Sequence, residues 1–190
     1  VQTERHDAVS VQEQQKSKHA VSALPERITA EDYVKNYIKY DSSTVGHSIT
    51  HIPNAIDTNL FRPMDKDAAR NDCNLPTNKR LILFGSQRIT DERKGFRYLA
   101  EACNIIKNKY PKLADKIGIV VVGGDSDKIK SQLPFSVYPI NYVKDEHDMV
   151  ELYNAVDIYV TPSLQDNLPN TIVESMACGV PCVGFNIGGI

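Results

Sequence analysis

From Ile49 onward, short β-branched runs alternate with stretches of helical spacing, and most are closed by Gly, Asn, Asp or Pro. This alternation is typical of β-α units, whose strands join one parallel sheet. The runs LILF and IVVV are apolar without interruption, as expected of strands that are covered by helices on both faces. We therefore predict an α/β protein with an open, parallel, Rossmann-like sheet and helices on both of its faces.

The positions of the strands and helices follow from this rhythm. The predicted strands are SITHIP, RLILFGS, GIVVVGG, SVYPINY, DIYVTPS and PCVGF. The predicted helical stretches are MDKDAARNDC, KGFRYLAEACNIIKNKY, SDKIKSQL, DEHDMVELYNAV and PNTIVESMAC. In the second of these stretches, the apolar side chains recur at helical spacing, which places one helix face on the sheet. These side chains are Phe96, Leu99, Ala100, Cys103 and Ile106.

Residues 1–46 differ from the rest, because they are rich in Gln, Glu, Ser, Lys and His and contain few strand-like runs. Such a composition buries a core poorly, so we predict a tail or linker. A candidate helix over 29–40 has Thr29 as its cap, and it would either dock on a neighbouring part of the protein or bind a partner. Residues 47–190 are predicted to form the Rossmann-like domain. We expect this domain to be incomplete at its C-terminal end, since the chain stops at NIGGI, and the chain to be part of a longer protein.

Charge and hydropathy exclude several classes of partner. The 190 residues include 22 Lys and Arg against 24 Asp and Glu, which gives a net charge of −2 without a basic stripe. Nucleic acid is therefore not expected as a partner, because phosphate backbones are bound through clustered cations. No apolar run approaches the ~20 residues of a membrane helix, and no secretory signal is visible, so we predict a cytoplasmic protein. The 4 cysteines form no C-x-x-C pair and are predicted to be free thiols.

The loops after the strands decide the function, because ligands of open α/β sheets bind outside the carboxyl ends of the strands. Three loops stand out, namely GSQRITDERKG, GGDSD and TPSLQDNLPN. The second loop lacks the spacing of a dinucleotide fingerprint, and no GxxxxGK[ST] motif occurs, so neither a nicotinamide site nor a P-loop is supported. We expect Gly123 and Gly124 to provide a tight turn and a close backbone approach.

The first loop carries two cations that could trap an anion. Arg88 and Lys94 stand near the start of the next helix, and Gly95 would leave the backbone there accessible. Free N–H groups and the helix dipole also favour an anion at that place, and a diphosphate would fit. The alternative is a solvated turn, since Asp91 and Glu92 in the same loop could pair with either cation.

The third loop places two acids around the start of a helix. Asp166 precedes the helix, Pro169 fits its first turn, and Glu174 lies inside it. A carboxylate is a natural acceptor for paired sugar hydroxyls. The alternative is that Asp166 caps the helix and Glu174 is solvated, although Glu174 has mostly apolar neighbours in the sequence and a charge in such surroundings calls for a partner.

Several of these stretches occur together in the order and at the spacing of a known family. They are IPNAIDTNLF, RITDERKG and ELYNAVDIYVTPSLQDNLPNTIVESMACGVPCVGFNIGG. Over roughly residues 49–190 the chain resembles the C-terminal, nucleotide-sugar-binding domain of the retaining glycosyltransferases of family 4 (group 1), which have the GT-B architecture. The predicted sheet would then be one half of a GT-B fold.

The resemblance implies roles for the acids and for the loop between them. Glu174 would hold the ribose hydroxyls, and Asp166, where the family usually has Glu, would face the donor sugar. Backbone amides of four consecutive residues would touch the sugar or the diphosphate. These residues are Asn167, Leu168, Pro169 and Asn170.

The resemblance also assigns the basic residues and the base contact. Arg88 and Lys94 match the pair that neutralises the diphosphate as it leaves, so no metal ion is implied. The backbone of Val143 would meet the nucleotide base. No cofactor is expected beyond the nucleoside-diphosphate sugar, which is the donor substrate.

The implied function is that of the donor-binding domain of a retaining glycosyltransferase of the hexosyltransferase type. It would transfer a sugar to a hydroxyl acceptor in the synthesis of a polysaccharide or glycoconjugate. A sugar or lipid-linked acceptor would bind an N-terminal domain that this chain lacks, so the chain alone is expected to be inactive, and the parent chain could attach peripherally to a membrane. The alternative is a non-catalytic module that binds a nucleotide or a protein.

Overall fold

The computed structural model describes residues 54–166 and 169–187. In these ranges the strands are β1 (Arg80–Arg88), β2 (Ile117–Gly124), β3 (Ser136–Ile140), β4 (Ile158–Thr161) and β5 (Cys182–Gly184). The α-helices are α1 (Lys66–Asp72), α2 (Phe96–Lys109), α3 (Glu146–Ala155) and α4 (Asn170–Ala177). The predicted strand SITHIP, the tail over 1–46 and its candidate helix lie outside the described residues. The predicted division into 1–46 and 47–190 therefore stays a prediction.

The strands form one 5-stranded sheet in the order β3-β2-β1-β4-β5. Every pairing is parallel, which confirms the predicted parallel α/β sheet. The chain builds outward from β1 to β3 and then returns to the other side of β1 with β4 and β5. The direction of winding thus reverses between β1 and β4, and open α/β sheets hold their ligands at such a point.

Two apolar clusters cover the two faces of the sheet, as predicted for a doubly covered sheet. Successive strand residues alternate between them: Val120 packs in one cluster and Val121 in the other. Helices α1, α3 and α4 contribute to the first cluster, and α2 contributes to the second. The face of α2 that was predicted from its periodicity is confirmed, since Leu99 and Cys103 are buried against the sheet.

Two elements differ from their predicted form. The stretch SDKIKSQL forms a 3-10 helix over Ser126–Gln132 instead of an α-helix. It follows Asp125, which adopts a left-handed conformation at φ 66° and provides no side-chain cap. Strand β3 ends at Ile140, earlier than predicted, and it is an edge strand, where Pro139 can be accommodated without a ladder hydrogen bond.

An ion cluster centred on the partly buried Asp157 joins the amino ends of β1 and β4. Asp157 accepts hydrogen bonds from the Arg70 guanidinium at 2.8 Å, from Lys66 at 3.0 Å, from Arg80 at 3.1 Å and from the backbone N–H of Leu81 at 2.8 Å. These hydrogen bonds and charges hold the pKa of Asp157 below its usual range, although its partial burial acts in the opposite direction. The sequence analysis did not predict this cluster.

The cysteines are free thiols, as predicted. Burial raises the pKa of the Cys103 thiol to about 11, so this thiol stays protonated near neutral pH. Over the described ranges, none of the helices combines the length and the hydrophobicity needed to cross a membrane.

Candidate functional site

A cleft with a volume of about 280 Å³ opens at the carboxyl ends of β1 and β4. It therefore lies at the point where the winding of the sheet reverses, as expected for a ligand site of this fold. Its walls come from β1, β2 and β4, from the loops after β1, β3 and β4, from α3 and from the start of α4. The lining residues are Leu83, Gly85, Ser86, Gln87, Lys94, Val122, Gly123, Tyr142, Val143, Met149, Tyr153, Tyr159, Thr161, Ser163, Asp166 and Thr171.

Gly95 allows the loops after β1 and β4 to touch. It has φ 71°, and a Cβ atom there would lie 1.8 Å from the carbonyl oxygen of Pro162. Beside this contact, the backbone N–H of Leu164 donates to the carbonyl of Arg93 at 2.7 Å. The prediction that Gly95 leaves its backbone accessible is wrong, because the β4 loop covers it. Only a glycine allows so close an approach.

Gly123 brings the loop after β2 against β1. Its φ is 130°, and a Cβ atom would lie 1.7 Å from the carbonyl oxygen of Ser86. The close backbone approach predicted for the GGDSD loop is therefore confirmed at this position. Because Ser86 and Gly123 both line the cleft, the glycine also keeps this wall free of side-chain bulk.

Lys94 and Asp166 form an ion pair across the cleft wall. The Lys94 Nζ lies 2.7 Å from Asp166 Oδ2, and the two side chains are 29% and 17% exposed. The sequence analysis singled out both residues but did not predict that they pair. Within the loop, Asp91 pairs instead with Arg93, whose hydrogen bonds lower the pKa of Asp91. The acid of this turn therefore pairs with Arg93, as in a solvated turn, whereas Lys94 is directed towards the cleft.

Arg88 occupies a different position from Lys94. It ends β1, opposite Gly124 in the register of β2, and its side chain is exposed. The residues that line the cleft include Lys94 but do not include Arg88. The diphosphate role of Arg88 stays a prediction.

Glu174 is half-buried on α4 and accepts a hydrogen bond from the hydroxyl of Tyr153 at 2.8 Å. Desolvation raises the pKa of Glu174, the negative charge of Glu146 adds to that effect, and the hydrogen bond from Tyr153 opposes it. The alternative of a solvated helix carboxylate does not describe this residue. Its partner Tyr153 was part of the ELYNAVD motif, but the sequence analysis assigned no role to it.

Further hydroxyl groups lie along the cleft. The Tyr159 hydroxyl donates to Thr171 Oγ1 at 3.0 Å, and the hydroxyls of Thr161 and Ser163 lie 3.4 Å apart. Val143 is half-buried and lines the cleft, where it was predicted to meet the base. The pattern of isolated polar groups on a partly apolar wall is typical of small-molecule sites.

The predicted sugar-phosphate loop is described only at its end. Pro169 is the residue that precedes α4, and Asn170 is the first helical residue. The side chain of Asn170 accepts a hydrogen bond from the amide of Asn54 at 2.7 Å. Asn167 and Leu168 lie outside the described residues. Over residues 54–166 and 169–187, His, Cys, Asp and Glu side chains nowhere gather in a group of three that could hold a metal ion.

Residues 78–190 match the family model of the glycosyl transferases group 1. Among curated proteins, a D-inositol 3-phosphate glycosyltransferase 2 of Catenulispora acidiphila is 30% identical over 71% of this chain and 34% of its own length. A D-inositol 3-phosphate glycosyltransferase of Thermobifida fusca is 26% identical over 97% of this chain and 45% of its own length. The chain therefore spans a third to a half of the length of these relatives.

Solved structures show the same fold. The C-terminal domain of a glycosyl transferase group 1 family protein (LpcC) from Francisella tularensis superposes with a TM-score of 0.55 and 24% identity, over 71% of this chain and 72% of that domain. A sucrose-phosphate synthase from Thermosynechococcus elongatus superposes with a TM-score of 0.63 and 23% identity, over 83% of this chain and 39% of its own. The predicted Rossmann-like fold is thus confirmed by comparison as well as by topology.

Proposed function

This chain belongs to the glycosyl transferases group 1, and we propose that its cleft binds the nucleoside-diphosphate sugar from which a sugar is transferred to a hydroxyl acceptor. The observation that carries the proposal is the Lys94–Asp166 pair in a cleft at the winding reversal of the sheet. Tyr153 lines the same cleft, and its hydroxyl donates to Glu174 beside it. The cleft thus offers a cation for phosphate and a carboxylate for a sugar, and Glu174, which is held by a residue of its wall, is a second carboxylate for ribose.

Lys94 is our candidate for the diphosphate contact. Its ammonium group lies in the cleft and is already paired with a carboxylate, so a diphosphate would replace or share an anionic partner that the site provides. Charge-assisted hydrogen bonds of this kind are about twice as strong as neutral ones. Arg88, at the exposed end of β1, would be the second cation. The backbone amides of residues 167–170 would complete the contacts to the sugar and diphosphate.

Asp166 is our candidate for the sugar contact. Its pairing with Lys94 places it next to the group that would hold the diphosphate, and the donor sugar is attached to that diphosphate. Glu174 would accept hydrogen bonds from the ribose hydroxyls, and Val143 would meet the base. Asp166 therefore orients the sugar and does not attack it.

The proposed reaction retains the configuration of the anomeric carbon. The acceptor oxygen forms a bond to that carbon on the face from which the diphosphate leaves, the bond to the diphosphate oxygen breaks, and the acceptor proton passes to the leaving diphosphate. Lys94 and Arg88 would stabilise the negative charge that develops on the leaving group.

Holding the acceptor in place lowers the activation barrier by about 7 to 11 kcal/mol in such reactions. We assign this task to another part of the full-length protein, so this chain alone would transfer no sugar.

Calorimetry with nucleoside diphosphates and the corresponding nucleosides tests the site. We expect Lys94→Ala to weaken binding of the diphosphate by about 10-fold or more and to leave binding of the nucleoside nearly unchanged, because only the diphosphate presents the anion. Lys109→Ala is the matched control, since Lys109 is an exposed lysine at the far end of α2. If Lys94→Ala lowers the affinities for the diphosphate and the nucleoside equally, or lowers neither, Lys94 is not the diphosphate contact.

Product analysis separates an enzyme from a binding module. NMR of the product made by a full-length protein with this domain should show the anomeric configuration of the donor. An inverted centre would contradict retention, and nucleotide binding without any transfer would favour the non-catalytic module. Fractionation of cells would test the predicted cytoplasmic location and peripheral membrane attachment of that protein.

A further inference from the structure

We infer that Tyr153 is a positioning residue, whose hydroxyl fixes the Glu174 carboxylate so that it discriminates ribose from 2′-deoxyribose. The inference rests on the proposed nucleotide site. It adds a residue from a different helix to that site and assigns to it a selectivity that can be measured separately from binding.

The hydrogen bond links two helices that the fold brings together. Tyr153 lies on α3 and Glu174 on α4, and the Tyr153 hydroxyl donates to Glu174 Oε2 at 2.8 Å. No residue of the described ranges donates to Oε1, so that oxygen can accept a hydrogen bond from a ligand. A carboxylate that is held at one oxygen presents the other in a fixed direction.

Packing prevents the Tyr153 ring from turning away. Its exposed fraction is 0%. Its ring meets Tyr159 edge-on at 6.2 Å and 85°, and it meets Phe61 at 6.5 Å and 54°. Because the ring is fully buried between these two aromatic neighbours, its hydroxyl is held in place as a donor. Tyr153 also lines the cleft, so the carboxylate that its hydroxyl holds lies next to the cleft wall.

The chemistry of the pair suits this task. Burial and the adjacent carboxylate raise the pKa of Tyr153 above its ordinary value, so its hydroxyl remains a donor at neutral pH. Glu174 is partly desolvated, and a carboxylate in such surroundings needs a hydrogen-bond donor to remain charged. Without the Tyr153 hydroxyl, Glu174 would lose both its orientation and a source of stabilisation for its charge.

The test is the ratio of affinities for a ribonucleotide and its 2′-deoxy counterpart. Calorimetry would use UDP, GDP and ADP with their 2′-deoxy forms, on the parent and on Tyr153→Phe. We expect the parent to prefer the ribonucleotide. Tyr153→Phe should lower the affinity for the ribonucleotide by about 10-fold, as expected for the loss of one charged hydrogen bond. It should change the affinity for the 2′-deoxy form by less than about twofold.

Tyr159→Phe is the matched control. Tyr159 is also buried and lines the cleft, but its hydroxyl donates to Thr171 and not to a carboxylate. Its removal should leave the ribose preference unchanged. Glu174→Gln removes the carboxylate while the tyrosine stays in place, and it should abolish the preference for ribose. The double variant Tyr153→Phe/Glu174→Gln should bind the ribonucleotide no more weakly than Glu174→Gln alone.

Three outcomes would overturn the inference. An equal loss of both affinities in Tyr153→Phe would show that the tyrosine only supports the fold. An unchanged preference in Tyr153→Phe would show that the Tyr153–Glu174 pair does not discriminate between ribose and 2′-deoxyribose. A parent that binds nucleotides without any preference for ribose would show the same. Each of these results leaves the nucleotide site intact, whereas a parent that binds none of the diphosphates contradicts the proposed function as well.

Discussion

The two ends of the sheet use charge in opposite ways. At the amino ends of β1 and β4, Asp157 accepts hydrogen bonds from Arg70, Lys66, Arg80 and the backbone of Leu81. Arg70 in turn donates to the carbonyls of Ala155 and Thr77, and only 4% of it is exposed. Every group in this cluster has its partners within the protein. Such a cluster stabilises the fold and leaves little for a ligand to bind.

At the carboxyl ends, the charges are arranged in pairs beside a cleft. Lys94 pairs with Asp166, and Tyr153 holds Glu174. The comparison shows that the position of a carboxylate relative to the cleft separates the two roles better than its burial does, since both ends contain partly buried carboxylates.

Removing the central carboxylate of the amino-end cluster should have the largest effect. Asp157→Ala leaves Arg70 buried without its ionic partner, which typically costs about 3 to 5 kcal/mol of the free energy of unfolding. Urea denaturation would measure the loss. Asp91→Ala, which breaks the exposed Arg93 pair, should change stability only slightly. Nucleotide affinity of folded Asp157→Ala should match that of the parent, and a large drop in affinity would contradict the separation of the two ends.

Gly95→Ala should destabilise the loop contact at the cleft. The new Cβ would meet the carbonyl of Pro162, and the positive φ adds backbone strain, so we expect a loss of about 1 to 3 kcal/mol in the free energy of unfolding together with weaker nucleotide binding. Gly179→Ala is the matched control, because Gly179 also has a positive φ, but its nearest contact is 3.5 Å away. Equal losses in the two variants would show that the Pro162 contact is unimportant.

Asp166→Asn should change binding and catalysis in opposite directions. The variant removes a negative charge next to Lys94, so the affinity for a nucleoside diphosphate should rise several-fold, which corresponds to about 1 kcal/mol. In a full-length transferase the same change should lower the turnover number, because the proposed sugar contact loses its charge. Calorimetry and initial-rate measurements would check both effects. A fall in diphosphate affinity would contradict competition between Asp166 and the ligand for Lys94.

The pH dependence of stability should report the desolvation of Glu174. Because burial raises its pKa in the folded protein above the ordinary value of 4.5, the folded state binds the proton more tightly than the unfolded state does. The contribution of Glu174 to stability is therefore fully present below 4.5 and is lost as the pH rises through the folded pKa. Relative to Glu174→Gln, the parent should lose stability as the pH rises from 4 to 7. A constant difference between the two proteins would contradict the raised pKa.

Much of the fold could be predicted because it depends on local patterns. The β-branched runs predicted the strands from RLILFGS to PCVGF, and periodicity predicted the buried face of α2. The prediction that the ligand site lies in the loops after the strands also needed only the sequence, since ligands of open α/β sheets bind outside the carboxyl ends of the strands. The 3-10 helix over Ser126–Gln132 was not predicted, because a short amphipathic stretch has the same composition in both helical forms.

Repeated local signals in the sequence encode the β-α rhythm, the parallel sheet, the loops after its strands and the family motifs, so these could be predicted without a structure. The pairing of side chains, in contrast, depends on the three-dimensional fold. Lys94 meets Asp166 across 72 positions of the chain, Tyr153 meets Glu174 across 21, and Arg70 meets Asp157 across 87. A hydrogen bond or ion pair requires contact within a few ångströms, and such contacts arise only when the strand order has brought distant loops and helices together.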